Sequence, residues 1–148
     1  IGGKIKAHNY DPKIDKVMKE AQDDLKQKQV LSDLIFTGYI DNEELPVLYE
    51  QAEIFIFPSL YEGFGLPLIE AMISKTPVIC SDIECFQEIA GDAARFYKAQ
   101  SQQDLQKAML EVIMKPEVKE KLVQKGTKNA TKYSWEKSAR ETLATFIS

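Results

Sequence analysis

The run Ile54-Phe55-Ile56-Phe57, followed at once by Pro58, constrains this chain more than any other stretch. Aromatic and β-branched residues without polar alternation suit a short strand covered on both faces, and a proline, which has no N–H to give, ends it. Gly63 and Gly65 come next, then Leu66, Pro67 and the apolar-rich Leu68-Ile69-Glu70-Ala71-Met72. Glycines let the backbone turn sharply and approach a ligand closely, and proline suits the first turn of a helix. The order is therefore strand, glycine loop, helix. Unpaired N–H groups and the positive end of the helix dipole face the loop, which makes it a main-chain anion site for phosphate or carboxylate.

Two acids complicate that reading, because Glu62 and Glu70 bracket the loop. They would repel an anion unless they accept hydrogen bonds from a neutral group such as a sugar hydroxyl. The pattern thus points to a ligand with phosphate and polyol parts. A buried strand–turn–helix with a first-turn Glu serving the dipole accounts for the glycines about as well on their number alone.

The flanking sequence supplies a scaffold. Asp11 and Pro12 open an amphipathic helix with Ile14, Val17, Met18, Ala21 and Leu25 at helical spacing. Leu34-Ile35-Phe36-Thr37 reads as a strand closed by Gly38, and Asp41 or Asn42 then caps a helix carrying Leu45, Leu48, Tyr49 and Ala52. Further strands are predicted at Pro77 to Ser81 and Ala94 to Tyr97, with a helix from Ile83 to Ala90 between them that Gly91 ends. Ser101 and Asp104 have capping-box spacing before Leu105, Ala108, Met109, Val112 and Ile113. Pro116 opens another helix, and Ser134 caps a last one whose Trp135, Ala139, Leu143 and Phe146 recur with helical period, which predicts core packing for the indole.

Strands alternating with helices imply right-handed βαβ units. The predicted fold is an α/β, Rossmann-like three-layer sandwich with a mainly parallel sheet and a helical C-terminal third. Ligands of such sheets bind at the carboxyl ends of the strands. Gly38 to Ile40, Tyr61 to Leu66 and Asp82 to Glu84 are therefore expected to line one crevice.

Bulk properties exclude several classes. The 148 residues suit a single domain, 1–148, with a sizeable core, and a net charge of −4 without a basic block speaks against a nucleic-acid surface. No stretch has the length and apolarity of a membrane span. Cys80 and Cys85 are the only cysteines, as expected of reduced thiols in a cytosolic protein. The sole histidine, His8, is expected in a surface loop without a catalytic role. Because the first residue is Ile1, the chain is expected to be cut from something longer.

The string Glu62-Gly63-Phe64-Gly65-Leu66-Pro67-Leu68-Ile69-Glu70 resembles the Glu-x7-Glu signature of retaining, nucleotide-sugar-dependent glycosyltransferases of family 4, which have the GT-B fold. The likeness extends from Leu34 to the C-terminus. Thr37-Gly38-Tyr39-Ile40, Tyr49 to Ser59, Glu70-Ala71-Met72, Thr76-Pro77-Val78-Ile79, Glu88 to Ala94 and Tyr133-Ser134-Trp135-Glu136 all resemble family strings. Lys75 departs from it, standing where glycine is usual.

The resemblance implies a C-terminal nucleotide-sugar-binding domain, truncated at its N-terminal edge. It implies transfer of a hexose from a UDP- or GDP-linked donor to a glycan, lipid or other acceptor, with retention and without a cofactor or metal. Glu62 would contact the transferred sugar as the catalytic residue, amides of Gly63, Phe64, Gly65 and Leu66 would hold the diphosphate, Glu70 would accept from the ribose hydroxyls, and the base would lie against Ile40. The partner would be the protein's own N-terminal acceptor-binding domain, absent here together with the basic side chains that grip the diphosphate, so this fragment alone is expected to be inactive. A cytoplasmic location follows, with peripheral attachment at the inner membrane face as a variant for the full-length protein. Two other readings remain, a non-catalytic GT-B-like interaction domain and a nucleotide-sugar epimerase. Glycoside hydrolysis fits poorly, because an acid at the helix start would be held ionised by the dipole.

Overall fold

Strand β1 (Phe55–Phe57) pairs in parallel with β2 (Val78–Ser81), and β2 in parallel with β3 (Arg95–Tyr97), so three short strands form one sheet in chain order. Phe57 lies opposite Cys80, and Ser81 opposite Tyr97, which brings the carboxyl ends of all three strands to one edge. This computed structural model describes residues 19, 20, 23, 24, 26–28, 33–35 and 37–147. The chain forms two units, Ile1–Leu45 and Pro46–Ser148.

In the first unit residues 19, 20, 23, 24, 26 and 27 are helical, and the Lys28 ammonium donates to Asp24 at 2.6 Å. The apolar positions expected for this helix, Ile14 to Leu25, lie outside the described residues, as does His8. Gly38 has φ +71, the left-handed turn that a glycine takes without penalty. The strand expected at Leu34 to Thr37 is not formed at its described residues 34, 35 and 37. A strand exists only where a neighbouring backbone completes its ladder, and residue type does not encode that neighbour.

The second unit holds the sheet and its helices: α1 (Leu45–Gln51, its first residue at the boundary), α2 (Leu66–Ile73), α3 (Glu84–Ala90), α4 (Gln102–Met114), α5 (Pro116–Ala130) and α6 (Trp135–Ile147). All four residues of β2 are buried, as the unbroken apolar run requires. Alternate side chains of β2 enter opposite layers. Val78 and Cys80 join Leu68, Met72 and Phe86 from α2 and α3, while Ile79 joins Tyr97, Ala108, Val112 and Leu122. That is the three-layer sandwich, helices on both faces of a parallel sheet.

Local signals set the helix ends. The Ser101 hydroxyl accepts from Asp104 N at 3.2 Å, the Ser134 hydroxyl accepts from Lys137 N at 3.1 Å, and the Gly91 amide donates to Gln87 O as α3 closes. At the end of α2, Lys75 N donates to Met72 O and Thr76 N to Ala71 O, a Schellman closure with Lys75 itself at φ +59. The residue that departs from glycine therefore adopts a glycine conformation rather than altering the turn. α5 packs on α2 at Gly126, where a Cβ would come within 3.1 Å of Met72 Cγ. Beyond it, the buried Asn129 side chain and the Tyr133 hydroxyl both donate to Ile89 O, at 2.8 and 3.0 Å, tying down α3.

One core assignment is corrected. Trp135 is 80% exposed and α6 buries none of its residues. Periodicity says which residues share a helix face, not what covers that face. Among the described residues no helix is long and apolar enough to cross a membrane.

Candidate functional site

The loop from Pro58 to Gly65 leaves the carboxyl end of β1 and delivers the chain into α2. Its last residue, Gly65, is the N-cap of that helix at φ +95, ψ +44, and Leu68 N donates back to Gly65 O at 3.0 Å. Only glycine fits here on two grounds. The conformation is left-handed, and a Cβ would stand 3.0 Å from Cε1 of Phe86, whose ring stacks on Phe57 at 5.1 Å. Gly63 is unconfined, with nothing within 4 Å of a built Cβ.

Three contacts hold the loop from below. The buried Ser81 hydroxyl, at the end of β2, donates to Ser59 O. Cys85, in the first turn of α3, donates its thiol to Phe64 O at 3.1 Å, and the Phe64 ring meets Tyr133 edge-on at 6.0 Å. The neighbouring loop is fixed by Asp82, which accepts from Ala99 N at 2.8 Å. Among the described residues no acceptor takes the main-chain N–H groups of Gly63, Phe64, Gly65 or Leu66. Carbonyls are thus committed to the scaffold while consecutive amides stay available at a helix N-terminus, an arrangement that favours anions.

Each of the two acids is aimed by a hydroxyl. Ser59 Oγ donates to Glu62 Oε1 at 2.6 Å, and Glu62 is half-buried. Tyr49 Oη donates to Glu70 Oε2 at 3.2 Å. Burial, then the Glu70 charge and this hydrogen bond, pushes the Tyr49 phenol up to about 12. Burial first, then the charges of Glu88 and Glu62, also holds the Cys85 thiol above its ordinary range.

Glu70 sits in the second turn of α2, and no acid occupies the first. The expectation of a first-turn Glu in the dipole's reach is corrected accordingly: the helix begins at Leu66, with Pro67 second, and the dipole's influence fades within one turn. Glu70 therefore gives no ground, through the helix dipole, against hydrolysis.

Two cavities flank the loop. One, about 330 Å³, is lined by Leu60, Tyr61, Glu62, Ile83, Cys85 and Glu88 among others, on the side of the strand ends. The other, about 370 Å³, runs between Phe64, Leu66, Ile73, Tyr133 and Trp135 and is edged by Glu70. No group of three or more His, Cys, Asp or Glu side chains among the described residues is arranged to hold a metal ion. The site can therefore accept hydrogen bonds from neutral donors at Glu62 and Glu70 and give them to an anion between the two.

Of the predicted site residues, Glu62, Gly63, Phe64, Gly65, Leu66 and Glu70 lie on this one continuous loop and helix. Ile40 belongs to the first unit, half-buried in the loop after Gly38. Sequence reading missed Ser59 and Tyr49 as the groups that aim the two acids. Ser59 had a local signal, its hydroxyl three residues before Glu62; Tyr49 had none, being 21 residues from Glu70.

A family profile described as glycosyl transferases group 1 matches residues 14–129. The O-antigen chain mannosyltransferase B of Escherichia coli is 34% identical over 108 residues, 73% of this chain and 28% of that protein. The MMP alpha-(1->4)-mannosyltransferase of Mycolicibacterium hassiacum is 32% identical over 121 residues, 78% of this chain and 29% of that protein. The chain thus spans under a third of the length of these relatives. Among solved structures, the sucrose-phosphate synthase of Thermosynechococcus elongatus superposes with a TM-score of 0.76 at 30% identity, over 88% of this chain and 34% of that one. A C-terminal domain of a glycosyl transferase group 1 family protein from Francisella tularensis gives 0.72 at 30%, over 82% and 64%.

Proposed function

The chain belongs to the group 1 glycosyl transferases, and from that premise we propose that residues 1–148 form the C-terminal, donor-binding domain of a retaining enzyme that transfers a hexose from a nucleotide-diphosphate sugar. The names of the relatives make mannose the first sugar to test. The observation that carries the reading is the run of uncommitted amides from Gly63 to Leu66, set between two carboxylates that hydroxyl donors already orient. It matches a ligand with a diphosphate in the middle and polyols at both ends.

In this reading the amides and the start of α2 receive the diphosphate, Glu70 accepts from the ribose hydroxyls, and Glu62 accepts from hydroxyls of the transferred sugar. When the glycosidic bond breaks, negative charge grows on the leaving diphosphate. Fixed amides and the helix dipole stabilise that growing charge without reorganising, so they favour the transition state over the bound donor. The acceptor is bound by the protein's N-terminal domain.

The test uses the protein that carries this chain, assayed with UDP- and GDP-linked mannose and glucose. Glu70→Ala is expected to weaken nucleoside diphosphate binding by about tenfold or more, as loss of a hydrogen bond to a charged group does. Glu62→Ala is expected to lower kcat. Full activity with both glutamates replaced rejects the site, and an epimerised sugar from donor alone rejects transfer in favour of epimerisation.

A further inference from the structure

Glu70 is an exposed side chain on a helix surface, and such a carboxylate ordinarily samples several rotamers. Here one of its oxygens is taken. Tyr49 Oη donates to Oε2 at 3.2 Å, which leaves Oε1 to accept from a ligand. The donor is itself held at two points. Its ring meets Phe55 of β1 edge-on, with centroids 5.1 Å apart and planes at 85°, and its carbonyl accepts from the Thr76 hydroxyl just beyond α2. The end of α1, the edge strand and the far end of α2 thus fix one phenol against one carboxylate.

We propose that Tyr49 is a positioning residue for nucleotide binding, fixing Glu70 so that its free oxygen meets the vicinal hydroxyls of the donor's ribose. This rests on the assignment of Glu70 to the ribose. Tyr49 touches no substrate; it removes the disorder that Glu70 would otherwise lose on binding, and so acts on affinity rather than on the chemical step. With the phenol pushed up to about 12, the hydroxyl keeps its proton at any working pH and cannot turn from donor to repelling anion.

The experiment compares wild type, Tyr49→Phe, Glu70→Ala and the double variant in the full-length protein, with a nucleoside diphosphate and its 2′-deoxy analogue as ligands and the sugar donor for kinetics. Tyr49→Phe keeps the ring contact with Phe55, so the fold is expected to hold, and a thermal melt verifies this. Expected are about a threefold to tenfold rise in Kd and in donor KM, kcat within about twofold, and reduced preference for the ribose over the deoxyribose ligand. In the Glu70→Ala background Tyr49→Phe is expected to change nothing further. The proposal is overturned if Glu70→Ala weakens binding while Tyr49→Phe does not, or if Tyr49→Phe costs the same affinity with Glu70 absent. Unchanged binding in Glu70→Ala overturns the ribose assignment itself, a result distinct from either.

Discussion

The Ser59 hydroxyl donates to Glu62 Oε1 across 2.6 Å, so the acid that opens the glycine loop is aimed by the residue two beyond the end of its own strand. Ser59 is in turn anchored through its carbonyl by the buried Ser81 at the end of β2. Sheet register therefore passes to the site through two serines. Ser59→Ala frees Glu62, and a hydrogen bond to a charged group contributes about 1.5–3 kcal/mol. The variant should lose kcat/KM, and because the bond is made within the fold itself its melting temperature should fall as well.

The two loop glycines should separate stability from binding. Gly65→Ala forces a left-handed alanine, at about 1–2 kcal/mol, and drives a methyl against Phe86. Both the melting temperature and nucleotide affinity should fall. Gly63→Ala meets open space and should shift stability by under about 0.5 kcal/mol. Alanine keeps the amide but adds a methyl where the diphosphate would approach the backbone, so affinity for nucleoside diphosphate should fall while the melt stays near wild type.

Lys75 holds φ +59 in the closure of α2, a position that glycine occupies without strain. Lys75→Gly should raise stability by about 1 kcal/mol, read as a higher denaturant midpoint with unchanged slope. Lys75→Ala, which keeps the Cβ, should leave the midpoint near wild type.

Cys80 is fully buried, and burial pushes its thiol from 9.0 up to about 12. The folded state thus prefers the neutral thiol, and its contribution is fully present below pH 9 and is lost as the pH rises from there through about 12, because the unfolded chain ionises first. Within that window the loss has a limiting slope of about 1.4 kcal/mol per pH unit. Urea melts at pH 8 and pH 10.5 should show a smaller alkaline loss for Cys80→Ala than for wild type. An equal loss in both would assign the effect to other groups.

The strand, glycine loop and helix were legible because each depends on neighbours in sequence. Pro58 ends β1, Gly65 takes the left-handed cap and Pro67 fills the first turn of α2 whatever surrounds them. The caps at Ser101 and Ser134 were legible for the same reason. Leu34 to Thr37 and Trp135 were not, since a strand needs a partner backbone and an apolar helix face needs a cover, and neither is written in the segment itself.

The sequence by itself determined a parallel α/β sandwich and the loop that carries its two acids, because periodicity, proline and glycine act through local backbone sterics and the burial of apolar runs. Only the tertiary structure decided which way the acids face. Glu70 is held by a tyrosine from another helix and Glu62 by a serine whose own carbonyl is anchored one strand away. Such contacts exist only after distant segments pack, when the few donors within about 3 Å of each carboxylate are chosen by fold geometry rather than by spacing along the chain.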